Sequence, residues 1–231
     1  MRKYFFVLAL AMAFCVQLTA QTYKIDTSTI TYENQQRPCF TVKYDASPKT
    51  VKKAWDDYFK KTYDVKVRGI GFLTNKEVIT ATDITLVAVS DKRMNMYASV
   101  VDAPGDRSEL SYFMSFGYDF YIGPDKYPTE FAAMKKILND FSVEFLTDYY
   151  YSEASRMTKE IKGLESDIKD NNKSIKKNTK KARKESKEVA SGLQAKNISM
   201  QMENDQAKRK IDELAKVIDE IKVKQAGITR N

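Results

Sequence analysis

The strongest constraint on this chain is an apolar pattern at heptad spacing that begins near Met157. Ile161, Ile168, Ile175, Ala182 and Val189 recur every seventh residue, with Met157, Leu164, Asn171 and Asn178 in the partner position. A second series runs through Met200, Asn204, Ala207, Ile211, Leu214, Ile218 and Ile221, in steps of three and four. Lys, Glu, Asp and Asn dominate the rest of this region, and no aromatic residue follows Tyr151. A segment with one narrow apolar stripe and no rings cannot close a globular core. It can only zip against another stripe, so residues 151–231 read as a charged coiled-coil region.

The two series are out of register with each other, and Ser191-Gly192 stands where they break. A turn is expected there, laying the second helix antiparallel to the first. In that pairing Ile175 faces Ile211, Asn171 faces Leu214, Asn178 faces Ala207 and Ile161 faces Ile221 or Val223. Closing a short turn costs little chain entropy, which favours this helical hairpin over one long helix that dimerises in parallel.

Residues 21–150 follow a different grammar, rich in aromatic and β-branched side chains with a changing period, as an α+β domain has. Ile30 and Tyr32, then Phe40, Val42 and Tyr44, alternate as a hairpin across Asn34-Gln35-Gln36. Ser47 is a suitable N-cap and Pro48 a suitable first helical residue, with Val51, Trp55, Tyr58 and Phe59 on one helical face. Val65 and Val67, the stretch Val78 to Val89, and Met94, Met96, Ala98 and Val100 predict further strands, with turns near Gly69 and Gly71 and at Ala103-Pro104-Gly105-Asp106. A last strand is expected to carry Leu110, Tyr112, Met114, Phe116, Tyr118 and Phe120 on a single face. Pro128 opens a helix whose stripe is Phe131, Met134, Leu138, Phe141, Phe145 and Tyr149. The predicted fold is therefore α+β, an antiparallel sheet with packed helices, followed by the helical region. Its element order, a hairpin, a helix, about four strands and a long helix, resembles TBP-like and helix-grip folds.

Residues 1–20 read as a cleavable signal peptide: Met1-Arg2-Lys3 is the positive start, Tyr4 to Val16 is too short to span a bilayer, and Ala20 precedes the expected mature start at Gln21. Phe14 before Cys15 argues against lipidation. Cys39 is then the only thiol, so no internal disulfide can form, and a small core residue is its expected role. The sequence has no His. That removes His-based triads and acid–base pairs and zinc sites that need imidazole, and no glycine-rich phosphate loop is present. No catalytic, cofactor-binding or metal-ligating residue is assigned, and no cofactor is expected.

Three groups remain as candidate sites. The chain carries a formal net charge of +8, and its densest basic run is Lys173, Lys176, Lys177, Lys180, Lys181, Arg183, Lys184 and Lys187. It reads either as a solvated helix face or as a contact for an acidic envelope polymer, an acidic protein or anionic lipid head groups. Without interleaved aromatic residues to stack on bases, nucleic acid is a poor fit. Tyr149-Tyr150-Tyr151, at the junction of the two regions, reads as packing or as an exposed contact patch or interfacial anchor, and packing is favoured because three successive helical residues point in three directions. Asp56, Asp57, Asp64, Asp83, Asp102, Asp106 and Asp119 could hold a hydrolytic carboxylate pair only if folding brings two together. Asn172-Lys173-Ser174 and Asn197-Ile198-Ser199 match the glycosylation tripeptide, a pattern common by chance.

The signal-like start, the Ser47-Pro48-Lys49 to Trp55 helix opening, the aromatic strand and the charged helical tail together resemble secreted proteins of Bacteroidetes-type bacteria. The resemblance implies export to the periplasm or outer envelope and brings no activity or site residue. Three functions compete. The chain is a non-enzymatic interaction or scaffold protein of the cell envelope, with the coiled coil as spacer or oligomerisation arm. Alternatively it carries or senses a small apolar ligand between the sheet and the Phe131 to Phe145 helix, or it is a carboxylate-dependent hydrolase.

Overall fold

The computed structural model describes residues 22–69, 77–105 and 107–228. The expected signal peptide, the turn glycine Gly71 and the carboxylate of Asp106 lie outside them. The chain divides into two compact units, Met1–Leu146 with Ala226–Asn231, and Thr147–Gln225.

In the first unit β1 (Asp26–Tyr32) and β2 (Gln35–Tyr44) form a hairpin. Its reversal is Glu33-Asn34, both left-handed with φ of 52° and 59°, the backbone a two-residue turn between twisted strands requires. The turn therefore comes earlier than the Gln-rich stretch suggested, and Gln35 and Gln36 pair with Tyr32 and Thr31. Helix α1 (Pro48–Tyr63) starts as expected: the Ser47 hydroxyl accepts from the Thr50 amide at 3.4 Å, and Pro48 fills a first-turn position. It ends where Asp64 turns left-handed at φ 53° and the Val65 amide donates to the Phe59 carbonyl.

Strands β3 (Val78–Thr85), β4 (Arg93–Ala103) and β5 (Arg107–Ser115) complete an antiparallel sheet of order β1-β2-β5-β4-β3. The α+β architecture is thus as the sequence predicted, with three corrections. The stretch Val78 to Val89 is strand only as far as Thr85, after which the chain turns and the Val89 amide donates to the Leu86 carbonyl at 2.8 Å. Val65 and Val67 are buried, but this stretch forms no strand and makes a single bridge, Arg68 to Thr80. Strand β5 stops at Ser115 rather than running to Phe120. Gly117 and Tyr118 take φ of 99° and 43°, and such residues end the pleat. Tyr118 and Phe120 are 95% and 61% exposed, while the chain returns so that the Ile122 amide donates to the Met114 carbonyl at 2.9 Å.

Period-two alternation gives the sheet two apolar faces. One packs against α1 and the start of α2 (Pro128–Ala182). There Phe40 stacks on Phe131 at 4.1 Å between ring centroids, and Trp55 meets Tyr112 at 5.1 Å and Phe141 at 4.8 Å. On the other face Cys39, Tyr97, Phe113 and Tyr121 form a smaller cluster with Ile30, Tyr32 and Val78. Tyr32 belongs to an edge strand, yet its ring lies 5.1 Å from Tyr97 and 5.2 Å from Phe113 of the inner strands. Only a strongly curled sheet permits that reach.

The second unit is an antiparallel pair made from the later part of α2 and from α3 (Lys187–Ala226). The turn between them is Arg183–Ser186, so its expected position at Ser191-Gly192 is wrong. The Lys184 amide donates to Lys181, and the Ala190 amide to the Ser186 carbonyl, which opens α3. Glu188 in its first turn suits the positive end of the helix dipole. Gly192 sits within α3 with open space around it, and Val189, assigned to the first seam, is 44% exposed.

This turn changes every facing pair. The Asn171 amide donates to Asn204 at 3.1 Å, and that of Asn178 to Asn197 at 3.0 Å. The same register sets Ile175 against Met200, Ile168 against Ala207, Leu164 against Ile211 and Ile161 against Leu214. The expected alignment would have put Asn171 against Leu214, stranding an amide in an apolar layer at a cost of about 1–3 kcal/mol. The observed one matches amide with amide.

Candidate functional site

The carboxylates considered for hydrolysis are dispersed over structural tasks. Asp56 accepts from the Val67 amide, Asp57 pairs with Lys53 one helical turn away, and Asp64 ends α1. Asp83 occupies the irregular stretch of β3 at φ 57° and pairs with Arg93. Asp119 holds Arg37 at 2.8 Å. Asp102 lies on β4 near Lys52, whose pKa burial lowers against the opposing pull of Glu77 and Asp102. These partners account for the carboxylates as local ties, and no two of them are drawn into a shared hydrogen bond among the described residues.

The space between sheet and helix that would hold an apolar ligand is filled by rings. Phe40, Tyr44, Trp55, Phe59, Tyr112 and Phe141 are all 2% exposed or less, and their contacts continue through Phe141 to Phe145 at 5.6 Å. Met94, Met96 and Met114 are buried in the same layer as core. A separate open pocket of about 520 Å³ lies on the opposite side, lined by Tyr32, Arg68, Gly69, Val78, Thr80 and Thr82. Cys39 is fully buried, and burial pushes its thiol up to about 11. It is an inert core residue, as a desolvated thiol should be.

Arg37 was not singled out from sequence. Its guanidinium is buried in β2, 4.0 Å over the Tyr121 ring, with its Nε unbonded. The available signal was its place two residues before Cys39, on the same strand face. Of the three tyrosines, Tyr150 is buried, Tyr149 half-buried and Tyr151 73% exposed, the split that helical geometry imposes on consecutive residues.

The basic run is the one group the fold gathers. Helix α2 advances about 100° per residue, and its seam positions are Asn171, Ile175, Asn178 and Ala182. Lys173, Lys176, Lys177, Lys180 and Lys181 then fall on the opposite, outward face, and all are exposed. Lys184 follows in the turn. Further back along α2 Lys169, Lys162 and Lys159 are also exposed, there interspersed with the exposed carboxylates Glu160, Glu165, Asp167 and Asp170. Lys173 donates to Asp170 at 2.8 Å, a bond that lowers the carboxyl pKa of Asp170. Among the described residues Lys176, Lys177, Lys180, Lys181, Arg183, Lys184 and Lys187 have no carboxylate within ion-pair reach. Residues 173–187 contain eight cations and the single carboxylate Glu185, so nearly all of the formal net charge of +8 belongs to this tip.

Of the two glycosylation tripeptides, that of Asn197 lies in the seam and that of Asn172 is exposed beside it. The Asn172 carbonyl accepts from Asn204, and the Asn197 amide donates to Thr179 at 3.2 Å. A sugar on the Asn197 nitrogen would compete with its bond to Thr179.

Among the described residues no helix is long and apolar enough to cross a membrane, and no group of three His, Cys, Asp or Glu side chains is placed to hold a metal. No family model, curated protein or solved structure matches the chain.

Proposed function

We propose that this chain is an exported, non-enzymatic interaction protein of the cell envelope, in which the helical hairpin is a coiled-coil spacer that presents a charged tip. The observation that carries this reading is the closed seam of the second unit. Asn171 meets Asn204 and Asn178 meets Asn197 within one chain, so the heptad stripe is spent on an intramolecular partner. A stripe left open would have called for a second copy. The signal-like segment at residues 1–20 supports export, and the local roles of the aspartates support a binding role over hydrolysis.

Light scattering on the chain from Gln21 onward tests the central point. A monomer is expected at micromolar concentration. A stable dimer that dissociates when Ile211 and Leu214 are changed would show instead that the helices serve assembly. Export is tested separately by the N-terminal mass of the protein recovered from the cell envelope, with cleavage before Gln21 expected.

A further inference from the structure

We propose that the outward face of α2, from Lys159 through Lys181, together with Lys184 in the turn that follows, is a docking surface for a membrane of anionic phospholipids, engaged by charge alone. The inference rests on the hairpin reading above and names the partner of its tip.

The run is unfavourable for folding. Lys173–Lys177, Lys176–Lys180 and Lys177–Lys181 are like-charge pairs one helical turn apart, each of which weakens a helix. The seam gives little back at this end, because Asn171, Asn178, Asn197 and Asn204 occupy it where apolar side chains would bind more strongly. Closure of the hairpin does not need the lysines either, since they lie away from α3. A partner with negative charge is what this arrangement fits.

Shape selects among anionic partners. The lysines spread over more than a third of the helix circumference along about 35–40 Å of its length, on a convex surface. A linear polymer would find no groove there to seat in, whereas a plane can be touched by many flexible lysine stems at once. Lysine is a hydrated point charge without the planar fork that reads individual phosphates. No aromatic residue lies beyond Tyr151, so neither base stacking nor wedging between acyl chains is available. The predicted contact is therefore peripheral, dependent on the density of anionic head groups, and screened by salt over a Debye length of about 10 Å at 0.1 M.

The test is co-sedimentation of the chain from Gln21 onward with two kinds of vesicle, phosphatidylcholine alone and phosphatidylcholine mixed with phosphatidylglycerol. Binding to the mixed vesicles only, lost as salt is raised, is expected. Changing Lys176, Lys177, Lys180 and Lys181 together to Gln should weaken it by at least about tenfold. Changing the same four to Arg should preserve it, which separates lost charge from lost structure. A control set with the same charge change on α3, Lys208→Gln, Arg209→Gln, Lys210→Gln and Lys216→Gln, should stay within about twofold if the face of α2 is the site. Equal loss in both Gln sets, or equal binding to the two kinds of vesicle, overturns the proposal. So does tip-dependent binding of inorganic polyphosphate with no binding to vesicles, which would assign the surface to a linear polyanion. A protein that is monomeric by light scattering yet ignores the mixed vesicles refutes the docking surface alone. A dimer refutes the spacer reading.

Discussion

The two units solve the burial problem in opposite ways. In the first, rings from β2, β5, α1 and α2 meet in a layer several side chains wide, and Trp55 alone touches Phe59, Tyr112 and Phe141. Among the polar groups inside, the Tyr44 and Ser142 hydroxyls lie 2.6 Å apart and Ser142 donates to the Leu138 carbonyl, while Trp55 Nε1, Ser108 Oγ and Ser115 Oγ are buried without a hydrogen-bond partner. In the second unit the interior is a narrow seam, to which α3 contributes the buried residues Asn204, Leu214 and Ile221. Wide cores tolerate imprecise alignment because many contacts share the load. A narrow seam can slide by a heptad with little loss, so it needs marked positions, and paired asparagines supply them at the expense of stability. The contrast places strength in the domain and specificity of register in the hairpin.

The comparison is tested most severely by truncating the ring at the centre of the wide core. Trp55→Ala should cost about 3–5 kcal/mol in chemical denaturation followed by near-ultraviolet circular dichroism. A cost below about 1 kcal/mol would show that the aromatic layer is not what holds the domain.

Alkaline pH should act on the same unit. Burial raises the Cys39 thiol from 9.0 to about 11 and raises the Tyr44, Tyr58 and Tyr112 hydroxyls above 10.0. The unfolded chain releases these protons first, so stability present below about pH 9 should fall as pH climbs toward 11. Thermal melts across that window should show the domain failing, with the transition nearly unchanged between pH 6 and 8 because the sequence contains no His.

In the hairpin the expected effects are smaller. Asn204→Leu removes one of the two acceptors of the Asn171 amide, leaving Glu203, together with the donor to exposed Asn172, and should cost about 0.5–1.5 kcal/mol. The double change Asn171→Leu with Asn204→Leu should recover that stability while loosening register. Cysteines introduced at 178 and 197 would report the loosening as slower disulfide formation. The least of the changes is Gly192→Ala. In a helix interior with open space around the new methyl group, it should stabilise by about 0.5–1 kcal/mol. A loss would return the turn to Ser191-Gly192.

The sequence spoke clearly wherever a local cause was sufficient. Ser47-Pro48 fixed the start of α1 because the cap and the proline act within one turn. The alternation of Met94, Met96, Ala98 and Val100 gave their common face because side chains alternate whatever lies beyond the strand. The lysine run was legible as charge. Its character as an outward face, opposite a seam, required knowing which side of α2 meets α3. The wrong turn at Ser191-Gly192 came from treating a glycine as punctuation when the helix only had to tolerate it.

By itself, then, the sequence determined the two grammars, the α+β class of the first unit, the helical class of the second and the absence of imidazole chemistry, since each follows from composition and short-range period. Only the tertiary structure decided that β5 ends at Ser115, that the sheet curls until Tyr32 reaches Tyr97, that Arg37 is buried over Tyr121, and that Asn171 meets Asn204. These depend on partners distant in the chain, whose pairing is chosen by the summed burial of many side chains and has no local signature.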